Sequence, residues 1–139
     1  MKLEILSFEW NLFDSDSANS IYAVTKAWAI TVLKDHTALL TSLSPSVIEV
    51  KYTENNEEKT ENFAVWWWVL EVSNNKVRIL VDMLVTTENA NFEKANNAKK
   101  EAEKLMEKYK NSKDRIDMEK FIQAEDSMLK AIAELKIKG

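Results

Sequence analysis

The stretch NFAVWWWVLEV, residues 62–72, sets the reading of this chain. Its Val, Phe and Leu content is that of β-strand, and its apolar run, residues 63–70, is far too short to cross a membrane as a helix. It also raises a question. The chain holds five tryptophans and one glycine in 139 residues, and three of those tryptophans stand here side by side. Average usage would supply about ten glycines in a chain of this length.

Outward from this stretch the pattern stays β. KLEILSF alternates Leu3 and Ile5 with Lys2 and Glu4, and SIYAVT, AITVL, SVIEVKYTE, KTENFAV, VLEV and KVRILVD follow at short spacing. Polar breaks such as residues 54–57 and Asn74-Asn75 separate them as hairpin turns would. Many short strands with such breaks predict an antiparallel β-sandwich or barrel. The pattern changes near Thr86. Phe92, Ala95, Ala98, Ala102, Leu105, Met106 and Tyr109 recur at helical spacing, NSKDRID interrupts with Asp114 or Asp117 as N-cap, and a second helix follows. On that helix Met118, Phe121, Ile122, Met128, Leu129, Ile132 and Leu135 are expected on one apolar face. Two helices of about 20 residues joined by a short polar turn make an antiparallel hairpin. The fold class is therefore α+β, with a sandwich domain over 1–85 and a helical hairpin domain over 86–139. Formal charge shifts from −5 before residue 86 to +1 after it.

Composition excludes several functions. A net charge of −4 does not suggest a nucleic-acid partner. No cysteine means no disulfide framework and no thiolate site, and one histidine excludes a His-rich metal site. A Ser-His-Asp triad could use only His36. Asp35 and Thr37 flank it, but adjacency in sequence is not catalytic geometry, so a loop histidine bonded to backbone is expected. Asp14 and Asp16 are expected in a solvated turn, because Ca²⁺ requires six to eight oxygens. The start MKLEILSFEW is strand-like and carries no signal-peptide pattern.

Three stretches carry a family resemblance. EILSFEWNLFD resembles an opening strand and Thr-Pro-Glu-Gly…Leu-Phe-Asp turn. TKAWAITVLKDHTALLTSLSPSVIEV is similar to Thr-x-x-Gly-x-x-Gly-Val-Leu-Pro-Gly-His-x-Pro-Leu-Leu-Thr-x-Leu-x-Pro-Gly-x-Ile-x-Val. NFAVWWWVLEVSNNKVRILVD is similar to Phe-Ala-Val-Ser-Gly-Gly-x-Leu-Glu-Val…Asn-Lys-Val-x-Ile-Leu-Ala-Asp. These are patterns of the epsilon subunit of F-type ATP synthases, and MLKAIAELKI is similar to the end of its second helix. In that alignment Trp10, Trp28, Trp67 and Trp68 fall at glycine positions, and Trp66 at a small-residue position. The expectation is that all five are glycines in the organism, encoded by UGA in a genome that reads it as glycine. Trp can neither take positive φ cheaply nor admit a close backbone. Thr31, Asp35 and Ser46 depart from family glycines in a way this does not explain.

The resemblance implies a non-catalytic central-stalk subunit, with the chemistry in other chains. Its partners would be the γ subunit, the c-ring and, in an inhibitory state, the α and β subunits; it would meet the membrane only through the complex, peripherally on the cytoplasmic side of a bacterial cell membrane, in an enzyme driven by protons or sodium. Ala29, Ile30, Thr31, Lys34, Asp35 and His36 would lie at the c-ring contact. Lys99, Lys104 and Lys108 would reach acidic β-subunit segments when the hairpin extends, although such a lysine run also suits a solvated helix face. Glu134 replaces a usual arginine, which weakens the inhibitory reading. No metal or resident cofactor is implied. Asn91 and Lys94 occupy a motif that binds ATP in some members, but with an amide for the carboxylate and an ammonium for the guanidinium the contact would be weak, and Asn91 also suits a helix cap. The alternative is a free-standing nucleotide-sensing module of the same fold.

Overall fold

The computed structural model describes residues 1–66, 68–86 and 88–137. Its strands are β1 Lys2–Leu6, β2 Asn11–Ser15, β3 Ala18–Val24, β4 Ala29–Leu33, β5 Leu39–Leu43, β6 Ser46–Glu54, β7 Glu57–Trp66, β8 Trp68–Ser73, β9 Lys76–Leu80 and β10 Met83–Val85; its helices are α1 Phe92–Tyr109 and α2 Arg115–Lys136. The first sheet has the order β2-β1-β9-β8-β5 and the second the order β10-β7-β6-β3-β4. They stack as a sandwich over one core, because Leu3, Ile5, Ile79 and Leu70 from the first sheet and Ile21, Ile48 and Val50 from the second are fully buried.

One pairing departs from the antiparallel expectation. β1 and β9 run parallel, from Lys2 opposite Lys76 to Leu6 opposite Leu80. Alternation along a strand fixes which side chains face the core, but it is the same for either direction of pairing. Three strands also go beyond the sequence reading: β2, β5 and β10. Asp14 lies within β2 opposite Glu4, not in a turn.

The opening stretch is two strands in two sheets. β7 ends at Trp66 in the second sheet and β8 begins at Trp68 in the first. Phe63, Ala64, Val65 and Trp66 are all buried, which breaks the alternation for a physical reason. Phe63 and Val65 face the sandwich core, while Ala64 and Trp66 face outward and are covered by Ala133 and Ile137 at the end of α2. Trp67 lies outside the described residues.

Backbone conformations that favour glycine are met by other residues. Asn55 and Asn56 (φ 52° and 64°) turn β6 into β7, and Asn74 and Asn75 (50° and 59°) turn β8 into β9; two successive positive φ values are the mark of a type I′ hairpin. Trp10, Trp28 and Trp66 are not among the residues with positive φ. The φ part of the glycine expectation therefore finds no support at these three positions.

α1 is capped by Asn91, whose side chain accepts the Lys94 amide at 3.0 Å. Asp114 caps α2 by accepting the Ile116 and Asp117 amides. The buried residues of α2 are Ala124, Ala131 and Ala133; Ala124 and Ala131 share one side of the helix, and Ala133 lies on the opposite side, against the second sheet. The expected stripe is not buried as a unit: Met118, Ile122 and Leu129 are exposed, Ile122 by 63%. A helix lying close against neighbours on two sides buries its small residues and leaves longer ones at the flank.

Candidate functional site

The outer face of the first sheet is divided into a charged half and an apolar half. Around β1 and β9, Glu4 lies 3.6 Å from Lys2, 3.5 Å from Lys76 and 3.4 Å from Arg78. Burial acts to raise the Glu4 pKa, but Lys76, Arg78 and Lys2 together outweigh it, and the carboxyl is held below its ordinary value. Toward the other end, Leu6 stands opposite Leu80 and Leu80 opposite Val69. With Phe8, fully exposed at 99%, they line a groove of about 470 Å³. Leu40 on β5 adds a further exposed apolar side chain to this face.

The end of the sandwich beyond this groove carries two turns built alike. In Ser7-Phe8-Glu9-Trp10 the Ser7 amide donates to the Trp10 carbonyl, and the Ser7 hydroxyl oxygen accepts the Glu9 and Trp10 amides. In Thr25-Lys26-Ala27-Trp28 the Thr25 amide donates to the Trp28 carbonyl, and the Thr25 hydroxyl oxygen accepts the Ala27 and Trp28 amides. A hydroxyl residue followed three places later by tryptophan is a repeat visible in the sequence, and its structural meaning was missed there. Both tryptophans are about two-thirds exposed.

The six residues around β4 follow one edge of the sandwich. β4 is the last strand of the second sheet and β5 the last of the first, and residues 34–38 join them. Ala29, Thr31, Lys34 and Asp35 are exposed and His36 is half-buried. Ile30 is the exception: it points inward and packs against the core. The loop is tightly built. The His36 amide donates to the Leu33 carbonyl at 3.1 Å and Asp35 has φ 61°, the signature of a type II turn. The His36 ring meets the Thr37 carbonyl at 2.7 Å, so Nδ1 carries the proton and donates. This is a histidine tied to backbone.

The hairpin folds back on the sandwich. Val47, Ala64, Trp66 and Val85 meet Ala133, Ile137, Ala90 and Phe92 in a second apolar cluster. Where the open end of the hairpin closes, Glu134 accepts the Asn91 amide at 3.0 Å. Asn91, Lys94, Lys130, Glu134 and Trp66 line a cleft of about 460 Å³ there, so the structure brings Asn91 and Lys94 together. It does not gather the other three lysines. Lys104 and Lys108 share an exposed face, but Lys99 is half-buried and lies about 140° round the helix from Lys104. Lys108 and Lys120 both approach the Tyr109 ring, at 5.2 and 5.4 Å. Among the described residues no group of acidic and histidine side chains has metal-site geometry, and no helix is long and apolar enough to cross a membrane.

Residues 1–87 match the family model for the ATP synthase Delta/Epsilon chain, beta-sandwich domain. The chain belongs to this family. The chain of Chromobacterium violaceum called ATP synthase epsilon chain is 31% identical over 136 residues, covering 98% of this chain and 91% of its own. That of Hydrogenovibrio crunogenus is 34% identical over 106 residues, covering 76% and 70%. A chain from the Euglena gracilis mitochondrial ATP synthase, solved as an OSCP/F1/c-ring assembly, superimposes with a TM-score of 0.79 over 99% of this chain and 80% of that one; at 20% identity it speaks for the fold. As an epsilon-type chain of an ATP synthase, this protein is a structural subunit without a catalytic site of its own. The family beta-sandwich thus corresponds to the two sheets, and α1 and α2 extend beyond the matched residues.

Proposed function

We propose that this chain joins the γ subunit to the c-ring in the central stalk and restrains ATP hydrolysis through its helical hairpin. The observation that carries the reading is the apolar row Leu6, Leu80 and Val69 across the first sheet, with Phe8 beside it and Leu40 exposed on the same face opposite Glu71. An apolar row crossing three neighbouring strands suits a partner surface better than water. It is assigned to γ, and it includes Val69 from the opening stretch. The edge formed by Ala29, Thr31, Lys34, Asp35 and His36 is assigned to the c-ring; Ile30 supports it from inside. Binding by shape and apolar burial needs no catalytic cluster. The subunit would sit peripherally on the cytoplasmic side of a bacterial membrane, in an enzyme driven by protons or sodium.

The hairpin is the regulatory element of this reading. Docked on the sandwich, it is permissive; extended along γ, it places Lys104 and Lys108 against acidic β-subunit segments and blocks hydrolysis, with Lys99 freed only on extension. An effector acts on such an element only through unequal affinity for its two forms. Domain limits of 1–85 and 86–139 follow from this division of labour. The nucleotide-sensing alternative is favoured by the cleft that brings Asn91, Lys94 and Lys130 together. It is disfavoured by Glu134, whose carboxylate already takes the amide at the start of α1, where a phosphate would go. The test is reconstitution with γ and the c-ring, comparing the chain with its Val69→Glu and Leu80→Glu variants. Unimpaired γ binding by both variants removes the assigned face; tight ATP binding by the isolated chain supports the alternative.

A further inference from the structure

Asn75 and Asp35 stand forty residues apart in sequence, yet the Asn75 Oδ1 accepts the Asp35 amide at 2.9 Å. Asp35 is the third residue of the turn closed by the His36 amide on the Leu33 carbonyl, at φ 61°. In such a turn the third residue's amide has no partner within the turn, and here a side chain from the β8–β9 hairpin supplies one. Asn75 is itself fixed. It is the third residue of a type I′ turn, at φ 59°, and its carbonyl accepts the Lys2 amide at 3.3 Å. The β8–β9 turn is therefore anchored to β1 on one side and props the β4–β5 loop on the other.

We infer that Asn75 is a positioning residue: its side chain holds residues 34–36 in the shape that the edge presents to its partner. The inference rests on the assignment of that edge to the c-ring. Asparagine suits both demands at once. It tolerates positive φ better than most residues, and it presents an acceptor at short reach. Aspartate keeps both properties; glycine keeps the backbone and deletes the acceptor. The shape of that surface therefore depends on a second segment, which meets the first through the Asn75 Oδ1.

The experiment uses the full chain as wild type, Asn75→Gly and Asn75→Asp. Amide exchange at Asp35 is read by NMR, and association with purified c-ring carrying γ is read by titration. Asn75→Gly is expected to speed exchange at Asp35 about five- to ten-fold and to weaken association by a similar factor, as loss of one net hydrogen bond would. Asn75→Asp is expected to restore both. A thermal midpoint of the glycine variant close to that of the wild type separates loss of the prop from loss of the fold. Unaltered Asp35 exchange in Asn75→Gly overturns the prop itself. Faster exchange with unaltered association overturns the c-ring assignment of the edge and leaves the prop standing. Failure of Asn75→Asp to restore exchange overturns the role of the acceptor.

Discussion

The backbone amide of Asn91 donates to the Glu134 carboxylate at 3.0 Å, so the last turn of α2 closes the first turn of α1. The Asn91 side chain meanwhile takes the Lys94 amide. Two of the four amides left open at a helix start are thus satisfied, one of them by a negative charge placed where the helix dipole favours it. Glu134→Ala is expected to loosen the docked hairpin by about 1 kcal/mol, with faster amide exchange at Asn91 as the readout. Exchange at wild-type rate would mean that the carboxylate holds nothing.

Removal of residues 88–139 is expected to leave γ binding intact and to raise ATP hydrolysis by the assembled enzyme. The Lys104→Ala, Lys108→Ala double variant should reproduce part of that rise, and its effect should shrink at high salt because exposed charges are screened. Lys99→Ala should act more weakly on the assembled enzyme, since its side chain is half-buried on another face of α1. Unchanged hydrolysis after truncation would leave a purely structural subunit.

Stability should depend on pH at both extremes. The Tyr52 hydroxyl donates to Glu61 at 2.7 Å, and this bond, with burial and the nearby carboxylates, pushes its pKa up to about 12. The fold favours the neutral phenol, so the contribution is complete below about pH 10, the ordinary tyrosine value, and is lost as the pH rises through about 12. Tyr52→Phe should remove that alkaline dependence. Glu4 acts in the opposite sense. Its pKa is lowered, so its contribution is complete above the ordinary carboxylate value and is lost as pH falls through the lowered one. Urea unfolding across pH reads both, and an acid limb unchanged in Glu4→Gln would dismiss the Lys2–Lys76–Arg78 cluster as a stabiliser.

The gene is expected to read UGA at all five tryptophan positions. Trp10 and Trp28 occupy the same place in two turns of one design, and both stand in solvent. Trp66 differs, being buried under α2. Trp66→Gly would empty that site, and deletion of a large buried side chain costs about 3–5 kcal/mol. A glycine at 66 therefore predicts a hairpin that detaches more readily than the tryptophan form does, measurable by exchange at Ala133. UGG at one or two of the five codons would end the recoding explanation.

Much of this was legible in the chain. Leu3 and Ile5 alternate with Lys2 and Glu4, and that pattern placed the right side chains in the core. Paired asparagines at 55–56 and 74–75 marked two hairpins because few other residues accept positive φ. The direction of the β1–β9 pairing was not legible, since no local signal distinguishes a parallel neighbour. Nor were the two buried sides of α2, because Ala124, Ala131 and Ala133 were outranked by larger residues that the docked geometry leaves outside. The candidate edge, residues 29–31 and 34–36 in the sequence reading, includes Ile30, which alternation alone would have removed. The contacts of Asn75 and Glu134 join distant segments and leave no spacing to recognise.

The parallel neighbour of β1 has a consequence for how the protein is made. β1 leaves the ribosome before the other nine strands described, and β2 can join it at once as a hairpin. Its other flank must wait for β9, with seven strands synthesised in between. The order β2-β1-β9-β8-β5 therefore cannot be completed from a growing chain until nearly the whole sandwich has emerged. Contacts of such long range slow folding, and an early strand left half-paired is an opportunity for pairing with the wrong neighbour. The hairpin arrives later still, directly after β10, and finds the second sheet already present as its resting surface. A new chain can therefore lay its hairpin on that surface as soon as the helices emerge.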